Sequence, residues 1–146
     1  MPLIVVGGDT PSGTSILGRL DASAREIRVF VTDEATGLEM RGRGFKVATG
    51  DVSDESHVEA AALRCFSAVL IAEAASDDRE RAFASTAAEV LEGWARAMRG
   101  ANVTRVIWVT ANEFPETHAR EVTSVDPSGP EFAGSVVALD EAHSIS

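Results

Sequence analysis

The 146-residue chain has no tyrosine, one cysteine, three histidines and, among its 13 basic side chains, a single lysine, Lys46. Each shortage removes a class of chemistry. Without tyrosine, no mechanism can relay a proton through a phenol to a neighbouring lysine. The lone Cys65 can form neither an internal bridge nor a cysteine-rich zinc site, which points to a reducing compartment. His57, His118 and His143 are too scattered to supply the i, i+4 ligand pair that holds zinc on a helix, so no metal is expected. Basic charge is short as well: 13 Lys and Arg against 23 Asp and Glu leave a net charge of −10. That sign disfavours nucleic acid and anionic membranes as partners. No apolar run approaches the roughly 20 residues of a membrane span. The amino terminus, Met1 to Val6, lacks the basic region and cleavage site of a signal peptide, so a cytoplasmic protein is expected.

What remains is an ordinary globular composition, 45% hydrophobic and 25% charged, sized for one domain over residues 1–146. A chain this long buries roughly 68–70% of its unfolded surface, enough for a core without staples.

The apolar pattern alternates strand with helix. Leu3 to Val6 is a β-rich run that stops at Gly7-Gly8-Asp9-Thr10-Pro11-Ser12-Gly13, after which Ile16, Leu17 and Leu20 recur at helical spacing. Further strands are expected at 27–31, 45–48, 67–72 and 103–110, the last two as continuous apolar runs of the kind buried on both faces of a parallel sheet. Helices fall between them, including a long one over 77–99 with Phe83, Ala87, Val90, Leu91, Trp94 and Met98 as its stripe. The expected fold class is α/β: a doubly wound parallel sheet, Rossmann-like, of about five strands plus a helix near 130–143. Residues 111–130, acidic and broken by Pro115 and Pro127, read as an irregular loop.

A turn between the first strand and first helix of such a sheet lies at its carboxyl edge, where helix amides attract phosphate. Gly7 and Gly13 suit that position, and Ser12 or Thr14 could cap the helix or donate to a phosphate oxygen. An equally physical reading is that the glycines serve only the turn and its packing. The middle glycine of a GxxGxxG spacing is replaced by Thr10. Gly8 to Ser15 has P-loop spacing but threonine where the phosphate-binding lysine belongs, which argues against nucleotide hydrolysis.

Several segments in order, IVVGGDTPSG, IRVFVTDEATG, GFKVATGDVSDESHVEAAL, FSAVLIA and AAEVLEGWARAMRGANVTRVIWVT, resemble the NmrA-like branch of the atypical short-chain dehydrogenases. The resemblance implies a bound NAD or NADP with its pyrophosphate over Gly7, Gly8, Asp9, Thr10, Pro11, Ser12 and Gly13. It implies adenine near Asp51 and Val52, and the nicotinamide ribose beside Ala72, Glu73 and Ala74. Thr110 would stand at the end of the fifth strand. Thr32 replaces an arginine that would contact a 2′-phosphate, and Asp33 follows it, so NAD is favoured unless Arg41 or Arg43 swings in. Asp33 is open to a second reading as a solvated loop residue, and Asp51 as a helix cap. The family's Tyr-x-x-x-Lys pair is absent. Phe132 and Val136 fall near those positions, and the sixth strand and substrate half would begin only near the end of the chain.

Three functions follow as expectations. The first is a non-catalytic dinucleotide-binding or sensing domain with no catalytic residue. The second is a degenerate Rossmann module that binds no cofactor and serves assembly. The third is an oxidoreductase subunit completed by a partner chain, using Thr110, Glu113 or His118. A homodimer or heteromer is expected, because the apolar faces of 77–99 and 130–143 would otherwise meet water.

Overall fold

The computed structural model describes residues 1–145. Strands β1 (Leu3–Val6), β2 (Ile27–Val31), β3 (Lys46–Thr49), β4 (Ser67–Ile71), β5 (Arg105–Val109) and β6 (Glu121–Val125) form one sheet in the order β3-β2-β1-β4-β5-β6. Every neighbouring pair is parallel. This is the doubly wound Rossmann order, whose direction reverses between β1 and β4. The central strands β1, β4 and β5 are buried along their whole length, as their unbroken apolar runs require.

Helices cover both faces. α1 (Pro11–Leu17), α2 (Glu34–Gly42) and α6 (Phe132–Glu141) close a core of Leu3, Val5, Ile16, Leu17, Val29 and Ile107. On the other face, α3 (Glu55–Ala62), α4 (Glu73–Ser76) and α5 (Ala87–Gly100) cover Ile4, Val6, Phe30, Leu70, Trp94 and Trp108. The Trp94 indole is fully buried and donates to the Val52 carbonyl at 2.8 Å.

Three expectations are corrected. Residues 77–99 are not one helix: α5 starts at Ala87, and Phe83, placed in its apolar stripe, is 68% exposed. The start is set by Thr86, whose hydroxyl accepts from the Glu89 amide at 3.2 Å while Ser85 N–H donates to the Glu89 carboxylate. This Thr-x-x-Glu capping pattern outweighed the continuing apolar periodicity. Residues 111–130 are not wholly irregular, since β6 lies within them and pairs with β5 in parallel register from Arg105↔Glu121 to Val109↔Val125. A crossover without a helix links the two, held down by Phe114 stacked on Trp108 at 5.6 Å. The sixth strand therefore precedes the last helix instead of lying near the end of the chain. Finally, the apolar faces of α5 and α6 are covered by the chain's own sheet and helices, with Val90, Trp94, Met98, Ala133 and Val136 buried. The argument for a partner from uncovered helices loses its premise.

Candidate functional site: the carboxyl edge of the sheet

The turn after β1 is built by packing. Gly7 has φ +90°, and a Cβ there would lie 2.9 Å from the Ala74 Cβ; one on Gly8 would lie 2.2 Å from Val29. One on Gly13 would meet the Gly7 carbonyl oxygen at 2.5 Å. Thr10 locks the loop: its hydroxyl donates to Gly7 O at 2.7 Å and accepts from Gly13 N at 3.0 Å. The N-cap of α1 is thus Thr10, not Ser12 or Thr14, with Pro11 in the first turn. The residue that breaks the triple-glycine spacing is the one that bridges the remaining two glycines. It also takes up the Gly13 amide.

Around this turn the candidate residues separate into three groups. Ser12, Ala72, Glu73 and Thr110 come together with Asn112 and Asp126 around a cavity of about 450 Å³ at the carboxyl ends of β4, β5 and β6, beside the switch point and bordered on the β1 side by Ser12. The lining contains no lysine or arginine. The Thr110 hydroxyl accepts from the Asn112 amide at 3.1 Å. Glu113 and His118, considered as alternative catalytic groups, are not part of this lining. Phe132 and Val136 turn into the core beneath α6.

A second group, Asp9, Thr32 and Asp33, lines another cavity of about 450 Å³ at the exit of β2 with Asp77, Asp78, Arg79 and Glu80. Asp9 was assigned to the phosphate turn, yet its carboxylate reaches across to β2. One oxygen accepts from Thr32 N at 2.8 Å and Asp33 N at 3.1 Å; the other accepts from Arg79 at 2.9 Å. Arg79 also donates to the Thr32 hydroxyl at 3.1 Å and to both oxygens of Asp77. Burial opposes ionisation of Asp77, but the Arg79 guanidinium and amide hold its carboxyl below the ordinary value. Asp33 caps α2, accepting from Thr36 N at 2.9 Å, while it stays exposed at the edge of this cavity. Arg41 bonds to the Val47 carbonyl and Arg43 lies over Phe45, so neither approaches Thr32. Arg79 was missed because residues 77–86 were read as helix; their acid-rich stretch before the Thr86 cap was the available signal.

The third group is Asp51 with its neighbours. Asp51 accepts from Ser53 N–H and O–H with one oxygen and from Ala82 N at 2.8 Å with the other. Burial raises its pKa, and these donors, led by the Ala82 amide, more than offset that and hold it below the ordinary value. Val52, like Gly8 and Ala74, is buried. His57 packs edge-on to Phe30 at 5.0 Å, and burial pushes the Cys65 thiol up, so it is not activated. No cluster of metal-binding side chains occurs among the described residues. No helix among them is long and apolar enough to cross a membrane.

The family model of the TrkA-N domain matches residues 3–123. The chain belongs to the TrkA-N domain family. Its fold, a Rossmann sheet with a glycine turn at the switch point, is the dinucleotide-binding architecture. No curated protein matches the chain by sequence. Solved structures similar to this TrkA-N chain include the anaerobillin reductase ChuY from Escherichia coli O157:H7, at 20% identity over 75% of this chain and 50% of that one, TM-score 0.58. The triphenylmethane reductase from Citrobacter sp. is similar at 16% identity over 81% and 42%, TM-score 0.59. The NADPH-dependent quinone oxidoreductase QOR2 from Escherichia coli, solved with NADPH, is similar at 20% identity over 74% and 36%, TM-score 0.58. At these identities the likeness is one of fold, and the chain spans half or less of each of these proteins.

Proposed function

We propose that this TrkA-N domain is a nicotinamide-dinucleotide-binding module, resembling the cofactor half of an NmrA-like reductase, that takes NAD in preference to NADP and transfers no hydride alone. The observation that carries the reading is the cavity beside the switch point, where Ser12 of the turn, Glu73 after β4 and Thr110 after β5 converge from three strand ends. Ligands of open α/β sheets bind in that crevice. The proposal that it transfers no hydride alone is supported by the absence of tyrosine and by Lys46, the sole lysine, lying on β3 at the far edge of the sheet, which together remove the tyrosine–lysine proton relay.

The preference for NAD rests on the exit of β2. A 2′-phosphate there would meet the carboxylates of Asp9 and Asp33, fixed at the ends of β1 and β2, and the cation beside them, Arg79, already serves two carboxylates. Calorimetry with NAD, NADH, NADP and NADPH at two salt concentrations tests this. Saturable one-to-one binding is expected, tighter for the forms without the 2′-phosphate. A ligand at 100 times its Kd would stabilise the fold by about 2.7 kcal/mol, giving an independent thermal readout. Tighter NADPH binding that weakens steeply with salt overturns the preference. No binding of any of the four, by the parent or by Arg79→Ala, overturns the cofactor altogether.

A second reading, an assembly module without cofactor, is favoured by one feature: a pyrophosphate would find no cation in the switch-point cavity and the Gly13 amide already engaged. In that case the same titrations are flat, and the protein's function lies with a partner chain.

A further inference from the structure

Resting on the dinucleotide-binding reading, this inference concerns how that same site is controlled. Residues 77–86 connect α4 to α5 without regular structure, and they are tied to the carboxyl ends of β1, β2 and β3 at three places. Arg79 reaches Asp9 at 2.9 Å and Thr32 at 3.1 Å. The Ala82 amide donates to Asp51 at 2.8 Å, and the Phe83 amide to the Ser53 hydroxyl at 3.0 Å. The two ends of this set of contacts coincide with the positions that the NmrA-like resemblance implies for an adenosine: its ribose hydroxyls at the exit of β2 and its adenine at Asp51.

The chemistry of the contacts matters. Ribose hydroxyls and an adenine amine are hydrogen-bond donors, and so are the groups of the segment that now fill the acceptors Asp9 and Asp51. The segment reaches one oxygen of each carboxylate, that of Asp9 through Arg79 and that of Asp51 through the Ala82 amide, so a nucleotide donor directed at the same oxygen competes with it. Apolar burial fastens the segment only through Ala84, which packs partly buried against the core, while Phe83 is 68% exposed and Ala82, Ser85 and Thr86 face solvent. It is held by polar bonds that another donor can replace. Segments with few buried apolar contacts are the ones that open at low cost.

We propose that residues 77–86 form a strap that engages Asp9 and Asp51, the acceptors of the adenosine half of the groove, in place of the nucleotide, so that the domain is self-inhibited and seats a dinucleotide fully only when the strap lifts. The other half, around Ser12, Glu73, Thr110 and Asn112, remains open. The apparent affinity for any adenosine-containing ligand is therefore reduced by the fraction of molecules with the strap released, whereas a ligand confined to the open half is unaffected.

The test uses AMP and nicotinamide mononucleotide as separate probes of the two halves, titrated calorimetrically into the parent, Arg79→Ala and Ala82→Pro. Proline deletes the amide donor to Asp51 and leaves Arg79 in place, so the two variants loosen the strap independently, and either suffices if the other folds poorly. AMP is expected to bind each variant at least tenfold more tightly than the parent, with nicotinamide mononucleotide unchanged within twofold. On the parent, hydrogen exchange should show the Ala82 and Phe83 amides protected without ligand and released when NAD is added. AMP binding that is equal in all three proteins, or amides that stay protected in the NAD complex, overturns the strap while leaving dinucleotide binding intact. If none of the three binds AMP, nicotinamide mononucleotide or NAD, the dinucleotide reading falls and the strap with it.

Discussion

Single residues decide whether the turn after β1 is a ligand loop or a structural knot, and Gly13 shows how closely the two are joined. A valine there, judged from spacing alone, would block a pyrophosphate and spare the fold. The packing says otherwise, because a Cβ would fall 2.5 Å from Gly7 O and 2.7 Å from Gly8 Cα, backbone atoms that cannot move aside. Gly13→Ala is therefore expected to destabilise the whole protein by about 1–3 kcal/mol or more, whether or not nucleotide is present. Gly18→Ala, where the nearest atom is the Thr14 carbonyl oxygen at 3.4 Å, serves as the tolerated control. Urea denaturation of both checks this; an unchanged midpoint for Gly13→Ala would show that the turn can relax.

Among the elements, the 77–86 segment carries a pH dependence whose sign can be worked out. Asp51 and Asp77 are held below the ordinary carboxylate value of 3.8 despite partial burial, by the Ala82 and Ser53 donors in one case and Arg79 in the other. A carboxyl whose pKa is depressed by folding adds stability that is present above its unfolded value and is lost as pH falls through its folded value. The segment should therefore stay docked from neutral pH down to about pH 4 and loosen progressively below it, as the carboxylates protonate and release the Ala82 amide and Arg79. Hydrogen exchange at Ala82, compared with a β4 amide across that range, reads the transition. Equal pH dependence at the two amides would mean that the segment has no acid-sensitive hold of its own.

For the molecule as a whole, Arg105 is the tie between sheet and carboxyl-terminal helix. It is 1% exposed in the middle of the fold, pairs with Glu121 on β6 at 2.9 Å and donates to the carbonyls of Leu139, Asp140 and Ala142 at the end of α6. Asp140, also buried, bonds to Arg25 on the opposite side. Arg105→Met keeps an unbranched apolar stem but leaves Glu121 and those carbonyls without their donor. We expect a loss of about 3–5 kcal/mol and a lower Tm, with the strands β1 to β4 affected only through global stability. A thermal melt within a degree of the parent would contradict this account of α6.

How much of this was legible beforehand depends on the range of the forces involved. The alternation of apolar runs, the glycine turn and the long buried strands determine an α/β doubly wound sheet from sequence alone, because period and punctuation are local properties. The lack of tyrosine and of a second lysine likewise disposes of one proton relay without any coordinates. Local signals also misled: apolar spacing carried the expected helix back to residue 77, while the Thr86 and Glu89 cap starts it at 87. Proline and acid counts hid β6, whose five residues become a strand only because β5 offers them a parallel edge. The pairing of Asp9 with Arg79, 70 positions away, and of Asp51 with the Ala82 amide leaves no trace in spacing or composition. Such contacts are set by which loops the completed sheet brings to one edge, and only the tertiary structure decides that.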